Sequence, residues 1–272
     1  MTATAPTLVR SDIRARHAGF FSDLIAVAGR AVRSLPRDKE AVIPALVIPV
    51  FFFAVNVGAL KDFTEKNNPD PNFSFIAFQL PVAIIFAVTG ISRASMLVLD
   101  IQSGYLSRLL ATPIRRPALL LGLLIADFVL VFALSIPVII MGWALGVDFA
   151  TGPLGILAFI LMSSLWGLAF AGFPYAIALK TGSPGAVNAS FILFFPFAFL
   201  TTAFLPKEAL TGWLSAVADY NPVTYLLDAL RAVVSGGWEW DTIGKGLACV
   251  AAVGAVSFFL AFRALGSRVR PN

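Results

Sequence analysis

Residues Asp100 to Pro117 read DIQSGYLSRLLATPIRRP, a polar stretch set between two long apolar runs. Leu106, Leu109 and Leu110 stand at i, i+3 and i+4, so they share one face of a short helix. Ser103 and Ser107 flank that stripe, and Thr112-Pro113 ends it. Arg108, Arg115 and Arg116 make the stretch basic. The pattern describes a helix outside a bilayer that presents a face to another surface. The plainer reading is an ordinary connecting loop. Exposed apolar patches mark partner sites, so the first reading predicts that Leu109 and Leu110 face outward.

The flanking runs set the fold class. The chain has 272 residues, 58% hydrophobic and only 13% charged, with a mean hydropathy of +0.87. Soluble domains carry about 25% charged residues. A helix rises ~1.5 Å per residue, so runs of about 20 apolar residues cross a ~30 Å hydrocarbon core. The expectation is an all-α integral membrane protein with six transmembrane helices, near 41–60, 73–99, 118–145, 154–179, 185–205 and 242–265. Pro44 and Pro49 fall inside the first, and Arg93 lies near the end of the second. Domain 1–40 is read as a polar tail, without the apolar core of a signal peptide, followed by an interfacial amphipathic helix over Phe20 to Leu35. A soluble helix against a partner is the alternative. Domain 41–265 holds the spans, and 266–272 is a charged tail.

Charge placement orients the chain. With six spans both termini share a side. Segment 1–40, loop 100–117, Lys180 and the end from Arg263 hold fourteen Lys or Arg; the opposite side holds five. The richer side is the cytoplasmic one, so both termini and the helix within 100–117 are expected in the cytoplasm. The net charge of +5 then reflects these loops rather than nucleic-acid binding. Segment 206–241, on the other side, is too apolar for a free loop and too interrupted for a span. It reads as a re-entrant hairpin broken at Asn221-Pro222, with Trp213 and Tyr225 near the outer leaflet; a surface-lying hairpin is the alternative. Asp228 and Arg231 are three apart and can pair. Arg93 and Asp127 lie at similar depth on consecutive spans and are expected to form an intramembrane ion pair, because an isolated charge there is costly. The alternative has Arg93 reaching the headgroups and Asp127 a wet vestibule. Phe191, Phe194, Phe195 and Phe199 are candidates to line a path for lipophilic molecules, or else face lipid and neighbouring helices.

Catalytic chemistry has no support. No G-x-x-x-x-G-K-[ST] stretch occurs, so no nucleotide is expected on this chain. A lone His17 and a lone Cys249 give no triad, no intrachain disulfide and no metal site. The charged network of a proton-driven carrier is missing too.

The pattern Asp100-x3-Gly104-x3-Arg108-Leu109-Leu110-x-Thr112-Pro113-Ile114-x-Arg116 resembles the loop between the second and third membrane helices of ABC-2 type export permeases, in their daunorubicin-resistance-like branch. The similarity continues through Gly122 and Asp127. It resumes at Leu205-Pro206, Trp213-Leu214, Asn221-Pro222, Thr224, Asp228-Ala229, Arg231 and Gly236. Around Tyr105 to Ser107 the chain departs, since many relatives carry an acidic residue before the arginine. The resemblance implies a cytoplasmic coupling helix, with Asp100, Gly104, Leu106, Arg108, Leu109, Leu110, Thr112, Pro113 and Arg116 contacting a separate ABC ATPase. It implies a multi-pass subunit of an inner or plasma membrane exporter, two ATPase copies that hold ATP and Mg, and a second permease copy. The implied cargo is an amphipathic drug, antibiotic or lipid. Export of a lipid-linked glycan, or an ATP-independent channel or scaffold, are the competing readings.

Overall fold

The computed structural model describes residues 19–35, 39–89 and 92–269, and these contain helices and no strand. The expected polar tail with His17 and the last residues of the charged tail lie outside the described residues. In chain order the helices are α1 (Phe20–Ser34), α2 (Lys39–Asn67), α3 (Phe75–Thr89), α4 (Ala94–Gln102), α5 (Tyr105–Leu110), α6 (Arg116–Ala144), α7 (Gly152–Thr181), α8 (Pro184–Ala189), α9 (Phe194–Phe199), α10 (Gly212–Ala218), α11 (Pro222–Arg231) and α12 (Trp240–Val269).

Five helical stretches among them are long and apolar enough to cross a membrane: Val42–Asn67, Phe75–Gln102, Arg116–Ala144, Gly152–Thr181 and Trp240–Arg268. The chain is therefore a multi-pass membrane protein. Two expected spans differ from the single rods read from hydropathy. The second is divided into α3 and α4, with Arg93 at the start of α4 rather than inside a continuous helix. Among the described residues, Ser92 and Arg93 are the ones outside helix there. The fifth is a shorter apolar stretch, Pro184–Phe199, in which a 3₁₀ turn at Ser190–Leu193 separates α8 from α9. Sixteen residues rise about 24 Å, less than a ~30 Å core. Pro196 and the Ser190 hydroxyl, which donates to Val187 O, mark where regular bonding gives way. Helix α2 runs through Asn67, seven residues past the predicted end of the first span, and α12 continues into the predicted tail.

Helix α7 is the central pillar, packed on α3, α4, α6 and above all α12. Lipid tails are as apolar as leucine, so helices associate through close contact and hydrogen bonds. The contacts are close where side chains are small. At Gly122 of α6, an added Cβ would lie 2.7 Å from Val27 Cγ1 of α1. Four buried hydroxyls find partners within their own helices: Thr89 donates to Ile85 O, Ser135 to Val131 O, Ser163 to Phe159 O and Ser164 to Ile160 O. Thr89 Oγ1 also accepts from the indole N–H of fully buried Trp166, 2.8 Å away, which ties α3 to α7.

Among the described residues two large apolar cores result, with a small third at Leu130 and Leu134. One joins α3, the second half of α6, the first half of α7, α11 and part of α12. The other joins α1, α4, α5, the first half of α6, the end of α7 and the end of α12. At that second end α7 is tied off by its neighbours. Gln102 donates to Gly182 O at 3.0 Å, and Arg268 donates to Leu179 O at 2.6 Å. A cation at a helix C-terminus also suits the dipole.

Candidate functional site

The stretch 100–117 builds a platform on this second end. Gly104 takes φ 69°, a left-handed conformation that turns the chain from α4 into α5. Leu106 is buried, and Leu109 and Leu110 are half-buried against the core formed with α1, α6, α7 and α12. This corrects the expected outward leucine face: a six-residue helix without a long apolar seam stays attached only if its apolar side is spent on the molecule itself. Gln102, Ser103, Ser107, Arg108, Ala111, Thr112, Pro113, Arg115, Arg116 and Pro117 are the exposed residues. Thr112 closes α5, its hydroxyl donating to Leu109 O at 2.6 Å.

Helix α1 straps this platform. Arg30 pairs with Asp100 at 2.7 Å, and its guanidinium sits 4.6 Å over the Tyr105 ring. Partial burial works against the Arg30 charge, but Asp100 outweighs it and holds the group above its ordinary pKa. Asp23 accepts from the Arg115 backbone N–H at 3.1 Å. Val27, Ala28 and Ala31 are buried, while Phe21 and Ile25 are 74% and 70% exposed. Arg30 is nearly half exposed, so its pair with Asp100 is worth little. A double-mutant cycle of Arg30→Ala with Asp100→Ala should give a coupling of about 0.5 kcal/mol, fading in high salt. A coupling above about 2 kcal/mol in thermal denaturation would contradict the exposed geometry.

Behind the platform lies a buried joint. Asp127 of α6 is 1% exposed and Arg93 is 3% exposed. The backbone N–H of Arg93 donates to Asp127 Oδ1 at 3.0 Å, and its guanidinium donates to Ser34 Oγ at 2.8 Å. Fully buried Tyr175 of α7 adjoins the same carboxylate. The structure thus brings Arg93 and Asp127 together, with the carboxylate capping the first turn of α4.

The opposite end holds the hairpin of α10 and α11. Asn221 caps α11 by accepting from Val223 N–H at 3.0 Å, and Pro222 occupies its first turn. The Asn221 amide donates to Phe197 O and Leu200 O, each at 2.8 Å. Trp213 is exposed, and the Tyr225 hydroxyl donates to Asp219 O. Asp228 and Arg231 pair at 3.5 Å. Of the four phenylalanines, Phe194 is buried, in edge contact with Phe86 and Phe170. Phe195 and Phe199 stack at 5.8 Å on an exposed face, and Phe191 is half-buried.

The model for the ABC-2 type transporter family matches residues 23–234, from the first turn of α1 to the end of the hairpin. The chain belongs to that family. This ABC-2 chain is 25% identical over 238 residues to the daunorubicin resistance ABC transporter permease protein DrrB1 of Streptomyces coeruleorubidus, covering 85% of this chain and 80% of the other. It is 24% identical over 220 residues to a probable doxorubicin resistance ABC transporter permease protein DrrC of Mycobacterium tuberculosis, at 80% and 79% coverage. The putative transport permease ycf38 of Cyanophora paradoxa is also 24% identical over 220 residues, at 79% and 75% coverage. Sequence reasoning about this ABC-2 chain passed over Asp23, Arg30, Ser34, Tyr105, Phe86 and Thr202. Their partners lie 29 to 118 residues away, so no local pattern signals them. Among the described residues, no group of three or more His, Cys, Asp or Glu could hold a metal.

Proposed function

We propose that this chain is the membrane subunit of an ATP-driven exporter of amphipathic or lipophilic molecules. Family membership is the observation that carries the reading; the names of the drug-resistance relatives supply the cargo class. In this reading domain 41–265 forms six crossings. The fifth is the broken segment α8–α9 with residues 200–205, and the hairpin 206–241 returns part way into the outer leaflet. Both termini and α5 face the cytoplasm. Two permease copies, identical or paralogous, would bind two ABC ATPases, which hold ATP and Mg. The chain binds no cofactor of its own and catalyses no reaction.

The platform gives the reading its mechanism. α5 is fixed to α4 and strapped by α1, and the Arg93–Asp127 contact joins α4 to α6, so a push on the exposed face of α5 moves a rigid unit. That motion would shift the spans between inward and outward access. The exposed residues Ser107 and Arg108 are the ones to test. Ser107→Trp with Arg108→Glu should leave the permease inserted and cut substrate-stimulated ATP hydrolysis at least tenfold. Normal stimulation in reconstituted vesicles would remove α5 as the coupling element. Failure of any ABC ATPase to co-purify with the native chain would favour the channel or scaffold reading.

A further inference from the structure

Arg231 makes more contacts than a hairpin residue needs. Its side chain is 12% exposed. Nε donates to Phe78 O at 3.3 Å, Nη1 to Thr202 Oγ1 at 2.9 Å, and Nη2 to Thr202 O at 2.8 Å. Nη1 also meets Asp228 at 3.5 Å, and the guanidinium lies 3.6 Å from the centre of the Phe78 ring. One side chain therefore joins α11, the first turn of α3, and the irregular segment 200–205.

That segment has no helix of its own to satisfy its backbone. In an apolar surrounding an unpaired carbonyl is expensive. The hairpin supplies most of the donors: Asn221 takes Leu200 O, beside Phe197 O of α9, and Arg231 takes Thr202 O, while Gln79 of α3 reaches Phe204 O at 3.4 Å. Thr201, Thr202 and Ala203 are 1–3% exposed as a result. The segment also completes an aromatic wall. Phe199 and Phe204 stand 5.2 Å apart, and both meet Phe86 of α3, at 6.0 Å and 6.5 Å.

We propose that Arg231 is a positioning residue for transport: it clasps segment 200–205 between α3 and α11, and so holds the Phe86–Phe199–Phe204 wall shut at the hairpin end. The proposal rests on the exporter reading for what passes the wall. The clasp itself does not. A lysine cannot replace the guanidinium, because a single ammonium does not span three elements as a planar fork does.

The test uses Ala203→Cys in a Cys249→Ala background, purified in detergent, with fluorescein maleimide as probe. The thiol at 203 should be protected while Arg231 is present. Arg231→Met and Arg231→Lys should each raise its labelling rate at least tenfold, and Thr202→Val by a smaller factor. Native Cys249, read separately in Arg231→Met, should label at its usual rate. Continued protection at 203 in both Arg231 variants overturns the proposal. So does an equal rise at Cys249, which would mark general loosening. If Arg231→Met does not fold, Thr202→Val decides: a rise supports the clasp and no rise overturns it. In vesicles with the partner ATPase and daunorubicin as the transported probe, Arg231→Lys should lower the transport kcat at least tenfold and leave KM within twofold; a change confined to KM would mean substrate contact and overturn a positioning role. The labelling arm needs neither ATP nor substrate, so its failure is distinct from failure of the exporter reading.

Discussion

Asp127→Ala is expected to destabilise the protein by about 3–5 kcal/mol, the cost of removing one member of a buried charged contact. The carboxylate accepts the Arg93 backbone N–H and lies within the fold beside Tyr175. Without it, the first turn of α4 loses its acceptor where water does not reach. Asp127→Asn keeps an acceptor oxygen for that N–H and should recover about half of the loss. Arg93→Ala keeps the backbone N–H altogether, so its damage should come through Ser34 and the lost charge. The ranking is therefore Asp127→Ala worst, with Asp127→Asn and Arg93→Ala both milder. Thermal denaturation of the three variants in detergent checks it. Equal damage from Arg93→Ala and Asp127→Ala would mean that the side-chain charges, not the cap, dominate.

Gly122→Val should be the second severe change. A Cβ at this position meets Val27 Cγ1 at 2.7 Å and Ala28 N at 3.1 Å, and the latter is backbone, which cannot rotate away. Overpacking of this kind costs about 1–3 kcal/mol, more when backbone is in the way. The expected result is that α1 lifts from α6, and the Arg30–Asp100 and Asp23–Arg115 contacts are lost with it. A cysteine at Ala31, which is 4% exposed, should become reactive in Gly122→Val alone. If it stays protected, α1 is held by something other than this close approach.

How much of this was legible in the sequence differs by element. Hydropathy found five stretches long and apolar enough to cross a bilayer, because a run of about 20 apolar residues matches the length a helix needs. It missed the interruptions at 92–93 and 190–193, since helix interruptions leave the running average unchanged. The stripe of Leu106, Leu109 and Leu110 correctly described a helix with one apolar face. Periodicity states which residues share a face, not what that face meets, and here it meets the protein's own core. Depth counting brought Arg93 and Asp127 together, but it could not tell that a backbone N–H makes the contact. Thr202 was invisible, because its role depends on a guanidinium 29 residues away.

The inward turn of the leucines leaves a platform whose outer skin is mostly hydroxyls and cations, Ser103, Ser107, Thr112, Arg108, Arg115 and Arg116, with only Ala111, Pro113 and Pro117 as small apolar groups among them. Any protein that lands there meets positive potential over little grease. Its encounter is then steered by long-range attraction and speeded by acidic groups on the approaching side. Such attraction decays over ~10 Å at 0.1 M ionic strength. Assembly on this face should thus be fast, reversible and loosened by salt, a contact suited to being remade at every turn of a working cycle.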